Sequence, residues 1–437
     1  MVSIRNLQPN AIGRSIAKGR RKFVTSAAKL CAFAALSAFL TVVPAAAEEL
    51  TVEVMHPWTS GGESAAAGVF ASQFQKAGGV WVDRAIAGND ALMAAAMNRI
   101  VGGNPPSASH FNTGKPFEEL VDAGLLRDLD TVASKEGWAA VIPPTFLDAI
   151  TRDGKIMAVP INLQTENWIW YSTEVFDKVG IGKPPENWSD FLAAADKMKA
   201  AGFIPLALGG GSWAERFVFQ KVLVSVAGPE LYLKIFRDRD VAALQDPKVQ
   251  EAFEVFGKLR GYVDPGSASR KWNDATNLVI TNKAGFQIMG DWAKGEFSAA
   301  GLTPGKEYGC TLFPGQEVSI MSGDVFVMPK LKDEKATEAQ TLLASVLFAP
   351  DTQLQFNIKK GSNPIRQDID VSPMDVCAQH AAEVLKVTAN QVPNPQFLMS
   401  NDALGAVRDV ITAYWNNPAM TAAEMTTALA KVLETVE

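Results

Sequence analysis

The chain has 437 residues, 47% of them hydrophobic and 20% charged, with a formal net charge of −6. That composition excludes a disordered chain, a collagen-like repeat and a disulfide-dense miniprotein. The length leaves room for roughly two to three domains of about 100–200 residues each.

Residues 1–47 carry Arg5, Arg14, Lys18, Arg20, Arg21, Lys22 and Lys29 and no acidic residue. An apolar run of 14 residues, Leu30 to Val43, follows, and Ala45-Ala46-Ala47 offers a cleavage site. A basic stretch, a short apolar run and small residues, in that order, make a secretory signal peptide. The run falls short of the about 20 residues that a bilayer-spanning helix needs. Arg20-Arg21 looks like a twin-arginine signal, but the reading preferred is an ordinary basic leader that holds two adjacent arginines. No second apolar stretch of spanning length occurs, so a soluble exported chain is expected from residue 48 onward.

Removing the leader lowers Lys and Arg from 41 to 34 while Asp and Glu stay at 47, a net charge of −13. An acidic chain has no electrostatic footprint for nucleic acid. Cys310 and Cys377 remain, an even count that favours one disulfide in an exported protein. The three histidines, His56, His110 and His380, show neither His-x-x-x-His nor Cys-x-x-Cys spacing. No metal and no cofactor are expected.

Residues 49–55 alternate polar and apolar and predict a strand. A polar glycine turn, Trp58 to Glu63, leads to a helix over 64–77. Strands are predicted at 80–85 and 107–111, helices at 90–101 and 117–123, and extended runs at 156–160 and 168–171. This alternation argues for α/β units with mostly parallel sheets. Apolar spacing predicts helices over 189–201, 213–226, 249–259 and 273–282. Strands are expected at 204–208, 284–289 and 325–329, with mainly helix from 336 onward. No long linker separates the parts, so the chain should cross between lobes through strands.

Catalytic signatures are missing. There is no Gly-x-Ser-x-Gly and no nucleotide-type glycine loop after the first strand. Gly209-Gly210-Gly211-Ser212 lacks the Lys-Ser/Thr ending of a phosphate loop and reads as a turn that lets Trp213 approach a ligand or the core. Glu63, Asp274 and Asp291 could pair as glycosidase carboxylates, a chemistry that needs a spacing of about 5–5.5 or 6.5–9.5 Å. An exported glycoside hydrolase using Glu63 and Asp291 is therefore one rival reading; a binding protein for a non-sugar solute is another.

Ten tryptophans are many. Trp58, Trp168, Trp213, Trp272 and Trp292 stand beside glycine turns or planar polar groups, whereas Trp81, Trp138, Trp170 and Trp415 lie in apolar patterns typical of a core. An aromatic ring covers the C–H face of a pyranose while carboxylates, amides and amines bond its hydroxyl rim. Such pockets commonly lie between domains.

The order of Thr59-Ser60-Gly61-Gly62-Glu63, Gly102-Gly103-Asn104-Pro105-Pro106, Asp153-Gly154-Lys155 and Val159-Pro160 resembles the periplasmic solute-binding proteins of sugar ABC importers. The run from Gly285 to Phe297, which contains Gly290-Asp291-Trp292, and the run from Lys359 to Arg366 resemble the glucose/mannose-binding branch. The resemblance implies a two-lobed fold, each lobe a sheet flanked by helices, with three crossings near Val159 to Ile161, Phe286 to Met289 and Gly323 to Phe326. The lobes would be 48–160 plus 288–322 and 161–287 plus 323–437. It implies pairing of Cys310 with Cys377. It carries sugar contacts to Trp58, Glu63, Trp213, Asp291 and Lys360, and more weakly to Trp272 and Asn167.

This chain departs from glucose-binding relatives at Pro57, Asn112, Gln164 and Asn401, where they show an aromatic residue, Lys, His and His. Asn112 and Gln164 therefore join the candidate rim, and sugar binding is a safer expectation than glucose binding. A phosphate ligand is disfavoured because the candidate set is acidic and aromatic with a single lysine. The expected partners are a small sugar and an inner-membrane ABC permease, with the protein acting as a monomer and not as an enzyme.

Overall fold

Val52, Val54 and Met55 are buried in the strand Leu50–His56, from which the first lobe grows in the computed structural model, which describes residues 49–435. The expected leader lies outside the described residues. Gly79–Ala85 and Ala108–Asn112 flank that strand in parallel. They are reached through the helices Gly61–Lys76 and Asn89–Val101, as the β–α alternation predicts. Asp324–Val327 and Ala158–Pro160 complete a five-stranded sheet, each pairing antiparallel. The helices Glu334–Phe348 and Pro350–Lys360 cover it, bringing Leu343, Leu347 and Phe356 into one core with Val52 and Val54.

The second lobe is built on Ala284–Met289, buried at all six positions. A central strand covered on both faces reads as a nearly continuous apolar run, broken here by Gln287, whose Nε2 donates to Trp272 O at 3.3 Å. It pairs antiparallel with Trp168–Ser172 and parallel with Ile204–Ala207, and Tyr308–Thr311 adds an antiparallel edge. Phe219, Phe253, Phe256 and Tyr414 fill the core beneath it. The helix expected to end at 226 runs from Ser212 to Phe236, broken at Gly228 (φ 87°) just before Pro229. Proline removes an N–H from the helical ladder and clashes with the preceding turn, so the break falls there.

Both sheets are mixed. Parallel pairing holds where a helix connects neighbouring strands. It gives way to antiparallel pairing where the chain leaves for the other lobe at Ala158–Pro160 or returns from it at Asp324–Val327.

Between the lobes lies a small third sheet, in which Ser319–Ser322 pairs antiparallel with Gln164–Thr165 and parallel with Gln391–Pro393. Three crossings follow: residues 161–167 out, 319–323 back, and the segment after Asn363 out again. Gly323 marks the second crossing. A Cβ there would meet Asn162 O and Phe146 Cε1, each at 2.7 Å.

Three expectations about the lobes are corrected. Ala284–Met289 is the inner strand of the second lobe and not a crossing, because it is paired on both sides within that sheet. Residues 288–322 do not join the first lobe: Met289, Phe297 and Tyr308 pack in a second-lobe cluster with Trp168 and Trp170. Asp324–Val327 and the helices up to residue 360 belong to the first lobe rather than the second. The chain re-enters the second lobe by Val376–Leu385, whose Cys377 is bonded to Cys310 on Tyr308–Thr311.

Candidate ligand-binding cleft

The lobes enclose a cleft of about 730 Å³, lined by both of them and by the hinge segments. Its floor is a buried polar network centred on Asp324, the first residue after Gly323. His110 Nε2 lies 2.9 Å from Asp324 Oδ1, while Asn162 Nδ2 and Gln164 Nε2 donate to Oδ2 at 2.9 and 3.0 Å. The Asp324 amide donates to Asn162 Oδ1 at 2.7 Å, and Ser322 Oγ to Gln164 Oε1 at 3.2 Å. Burial alone would raise the Asp324 carboxyl. His110, Lys360 and Asn162 outweigh it and hold the carboxyl below its ordinary value.

On the first-lobe wall, Glu63 sits in the opening turn of Gly61–Lys76, where a carboxylate suits the helix dipole. It receives a hydrogen bond from Ser60 Oγ at 3.0 Å and an ion pair from Lys360 Nζ at 3.3 Å. Lys360 is the last residue of Pro350–Lys360, which Gly361 ends in the left-handed conformation, φ 97°. Its ammonium lies 5.6 Å from the Trp292 ring centre and 6.0 Å from that of Trp58. Asn112, half-buried at the end of Ala108–Asn112, has no side-chain partner among the described residues. The lobes also touch beside the cleft, where the Gly62 amide donates to Glu296 Oε1 at 2.9 Å.

On the second-lobe wall, the glycine loop lies tight against the segment carrying Trp272. A Cβ on Gly209 would stand 2.9 Å from Trp272 Cα. The Gly210 amide donates to Arg270 O at 2.8 Å. Gly211 has φ 109° and opens the helix that carries Trp213. Trp213, Trp272 and Trp292 are half-buried and line the cleft. Deeper, Arg216 Nη1 donates to Gln220 Oε1 at 2.8 Å and to Asn394 Oδ1 at 3.3 Å, and lies 3.9 Å from Glu166 Oε2. Asn394 Nδ2 donates to Glu166 Oε1. Burial pushes the Glu166 carboxyl up, against the pull of Arg216.

Of the nine candidates, Trp58, Glu63, Asn112, Gln164, Trp213, Trp272 and Lys360 line the cleft. Trp58 does so from within the core: it is 2% exposed and packs against His56, Phe70, His110 and Phe356. Asn167 and Asp291 do not line it. Asn167 Nδ2 donates to Val318 O and its Oδ1 accepts from the Ile320 amide, both at 2.8 Å, so its amide is consumed in the hinge. Asp291 Oδ2 accepts from the Thr165 amide at 2.9 Å, and the Asp291 amide returns a bond to Thr165 O at 3.0 Å. Burial drives this carboxyl up to about 8 despite Lys294 and Lys360 nearby. It is a clasp on the hinge. Asn401 is exposed at the start of Asn401–Asn416, and Leu404 and Arg408 of that helix reach the cleft instead.

His110, Glu166, Arg216, Asp324 and Arg408 escaped sequence reasoning. Asp324 had a weak signal, its place after a glycine at an expected crossing. Arg216 sits beside Glu215 in a helix that also carries Gln220 and Lys221, and nothing local marks it as a cleft residue.

Two α/β lobes joined by three crossings around a lined cleft define a two-lobed solute-binding protein. The chain belongs to the bacterial extracellular solute-binding proteins, whose family profile matches residues 44–351. A "probable sugar-binding periplasmic protein" of Mesorhizobium japonicum is 38% identical over 401 residues, 89% of this chain and 94% of its own length. An ABC transporter extracellular-binding protein of Pyrococcus horikoshii is 31% identical over 338 residues, 74% of each chain. Among solved structures, a chitin oligosaccharide binding protein superposes with a TM-score of 0.75 at 18% identity, covering 89% of this chain and 99% of its own. At that identity the likeness speaks for the fold. These matches reach the family, and the glucose/mannose branch stays an expectation from sequence.

Proposed function

We propose that this protein captures a mono- or small oligosaccharide between its lobes in the periplasm and delivers it to an inner-membrane ABC permease. The carrying observation is the cleft itself: three half-buried tryptophans, Trp213, Trp272 and Trp292, stand over a polar rim that includes Asn112, Gln164, Glu63 and Lys360. Rings and rim together suit the two chemically different sides of a pyranose. The volume falls within the about 300–1,000 Å³ of small-molecule sites. Relatives whose names say sugar-binding and ABC transporter support the cargo and the partner.

Binding without bond cleavage is part of this reading. Of the two carboxylates a glycosidase would use, Asp291 is spent on the hinge, and Glu63 is paired with Lys360. Ligand touching both lobes would favour the closed arrangement by its differential affinity for it. The protein works as a monomer, with its leader removed near Ala47.

The test is thermal melting of residues 48–437 after denaturation and refolding, with a panel of neutral and acidic mono- and disaccharides. A ligand that binds only the folded chain adds about 2.7 kcal/mol at 100 times its dissociation constant. A saturable rise with a saccharide and no product by chromatography supports the reading. Product formation, or no rise with any saccharide, contradicts it.

A further inference from the structure

Four carboxylates line the cleft, Glu63, Asp90, Glu166 and Asp324, and five cationic side chains, Arg216, Arg270, Lys271, Lys360 and Arg408. This corrects the expectation of an acidic pocket with one lysine. The charges are not evenly matched. Glu63 is held by Lys360, Asp324 by His110, and Arg270 by Asp264, with a distance of 2.6 Å. Glu166 is the carboxylate nearest Arg216, and one of its oxygens is already taken by Asn394.

That leaves the second-lobe wall with uncompensated positive charge. Arg216 is 4% exposed, and its Nε has no hydrogen-bond partner among the described residues. Arg408 Nε is likewise buried and without a partner, and no carboxylate lies within ion-pair distance of Arg408 among the described residues. Both arginines line the same cleft, on the second-lobe helices Ser212–Phe236 and Asn401–Asn416. Lys271, exposed on the same wall, also lacks an ion pair among the described residues. Asp90, the unpaired carboxylate, is exposed on the first lobe.

A buried guanidinium whose one carboxylate stands 3.9 Å away, beside a half-buried second guanidinium that has none, is costly to hold without an anion. A planar fork of N–H donors is suited to a carboxylate or a phosphate. A neutral sugar offers hydroxyls to such donors but cancels none of the charge.

The geometry points to an anion subsite at Arg216 and Arg408, so that the saccharide bound here is acidic, carrying the carboxylate of a uronic acid or a phosphate group. This inference rests on the sugar-binding reading above and narrows it. The tryptophans and the rim around Asp324 would hold the ring, and the arginine pair would select the charged substituent. Asp90 on the opposite lobe keeps the whole cleft from being a general anion trap.

The test is calorimetric titration of refolded residues 48–437 with matched pairs: glucuronate and glucose, galacturonate and galactose, digalacturonate and α-1,4-galactobiose, glucose 6-phosphate and glucose. The expected result is at least about tenfold tighter binding of one acidic member than of its neutral partner, or about 1.4 kcal/mol. Whether a uronate or the phosphate ester shows that ratio identifies the source of the anion. In Arg408→Gln the ratio falls toward one, and Arg408→Lys restores part of it; melting curves confirm that both variants fold. The wild-type ratio decides the matter even if a variant does not fold. Neutral sugars that bind as tightly as their acidic partners overturn the anion subsite and leave the sugar reading intact. No binding by any saccharide overturns both.

Discussion

His110 Nε2 lies 2.9 Å from Asp324 Oδ1, although 214 residues separate them. They meet because Ala108–Asn112 and Asp324–Val327 pair antiparallel in the first-lobe sheet. Asn162 and Gln164, from the outgoing crossing, close on the other oxygen of the same carboxylate. One side chain thus ties the sheet, two crossings and the cleft floor together.

Asp324→Asn should lower stability by about 1–3 kcal/mol, since groups converge on both carboxylate oxygens and the variant sets an NH2 group in place of one of them. Because the folded carboxyl lies below its ordinary value, its contribution is present above the unfolded pKa of about 3.9 and is lost as pH falls through the folded value. Urea melts between pH 3 and pH 7 should therefore show a shallower acid loss in Asp324→Asn than in the wild type. Parallel curves would count against this role.

Asp291 should behave in the opposite sense. Its carboxyl is raised to about 8, so the folded state holds a proton that the unfolded state has released. Stability then falls as pH rises from about 4, the unfolded value, toward 8. Asp291→Asn keeps an acceptor for the Thr165 amide and removes this penalty. It should be the more stable protein at pH 8, with the gap closing toward pH 5 in thermal melts.

The tryptophans should separate into two groups. Trp58→Ala should cost about 3–5 kcal/mol of stability, as deletion of a large buried ring does. Trp213→Ala and Trp272→Ala, at half-buried wall positions, should leave melting nearly unchanged and weaken ligand binding about 10- to 100-fold, or roughly 1.4–2.8 kcal/mol. A large stability loss at Trp272 with intact binding would place it in the core.

Much of this fold could be read from periodicity. Leu50–His56 and Ala284–Met289 are continuous or alternating apolar runs, and both are strands where expected. What could not be read was pairing. Nothing within Ala284–Met289 says that Trp168–Ser172 and Ile204–Ala207 lie on either side of it, and the resemblance sets a crossing at Phe286 to Met289 instead. Tyr308–Thr311 and Ser319–Ser322 were missed because they are short and hold glycine or serine, which favour turns as readily as strands.

The site was legible to the same degree. Residues near polar turns, such as Glu63 and Trp213, are in the cleft. Asp291 and Trp292 are neighbours in sequence, yet the tryptophan lines the cleft and the carboxylate turns to Thr165. Local composition cannot distinguish those two directions. Arg216 and Arg408 come from helices far apart in sequence, and only packing of the second lobe brings them together.

Reduction of Cys310–Cys377 should cost about 2–4 kcal/mol, the usual gain from closing a loop in the unfolded chain. The bond spans 67 residues and fastens Val376–Leu385, just beyond the third crossing, to the second-lobe edge strand. A melt with and without reductant measures it. No change in melting temperature would mean the helix docks as firmly without the bond.

The most direct measurement is isothermal titration calorimetry of refolded residues 48–437 against the saccharide panel, with Trp272→Ala alongside. The account predicts saturable binding of one saccharide at one equivalent per chain, weakened at least about tenfold in the variant. Absence of heat with every saccharide, or binding that Trp272→Ala leaves untouched, would contradict capture of a sugar in the cleft between the lobes.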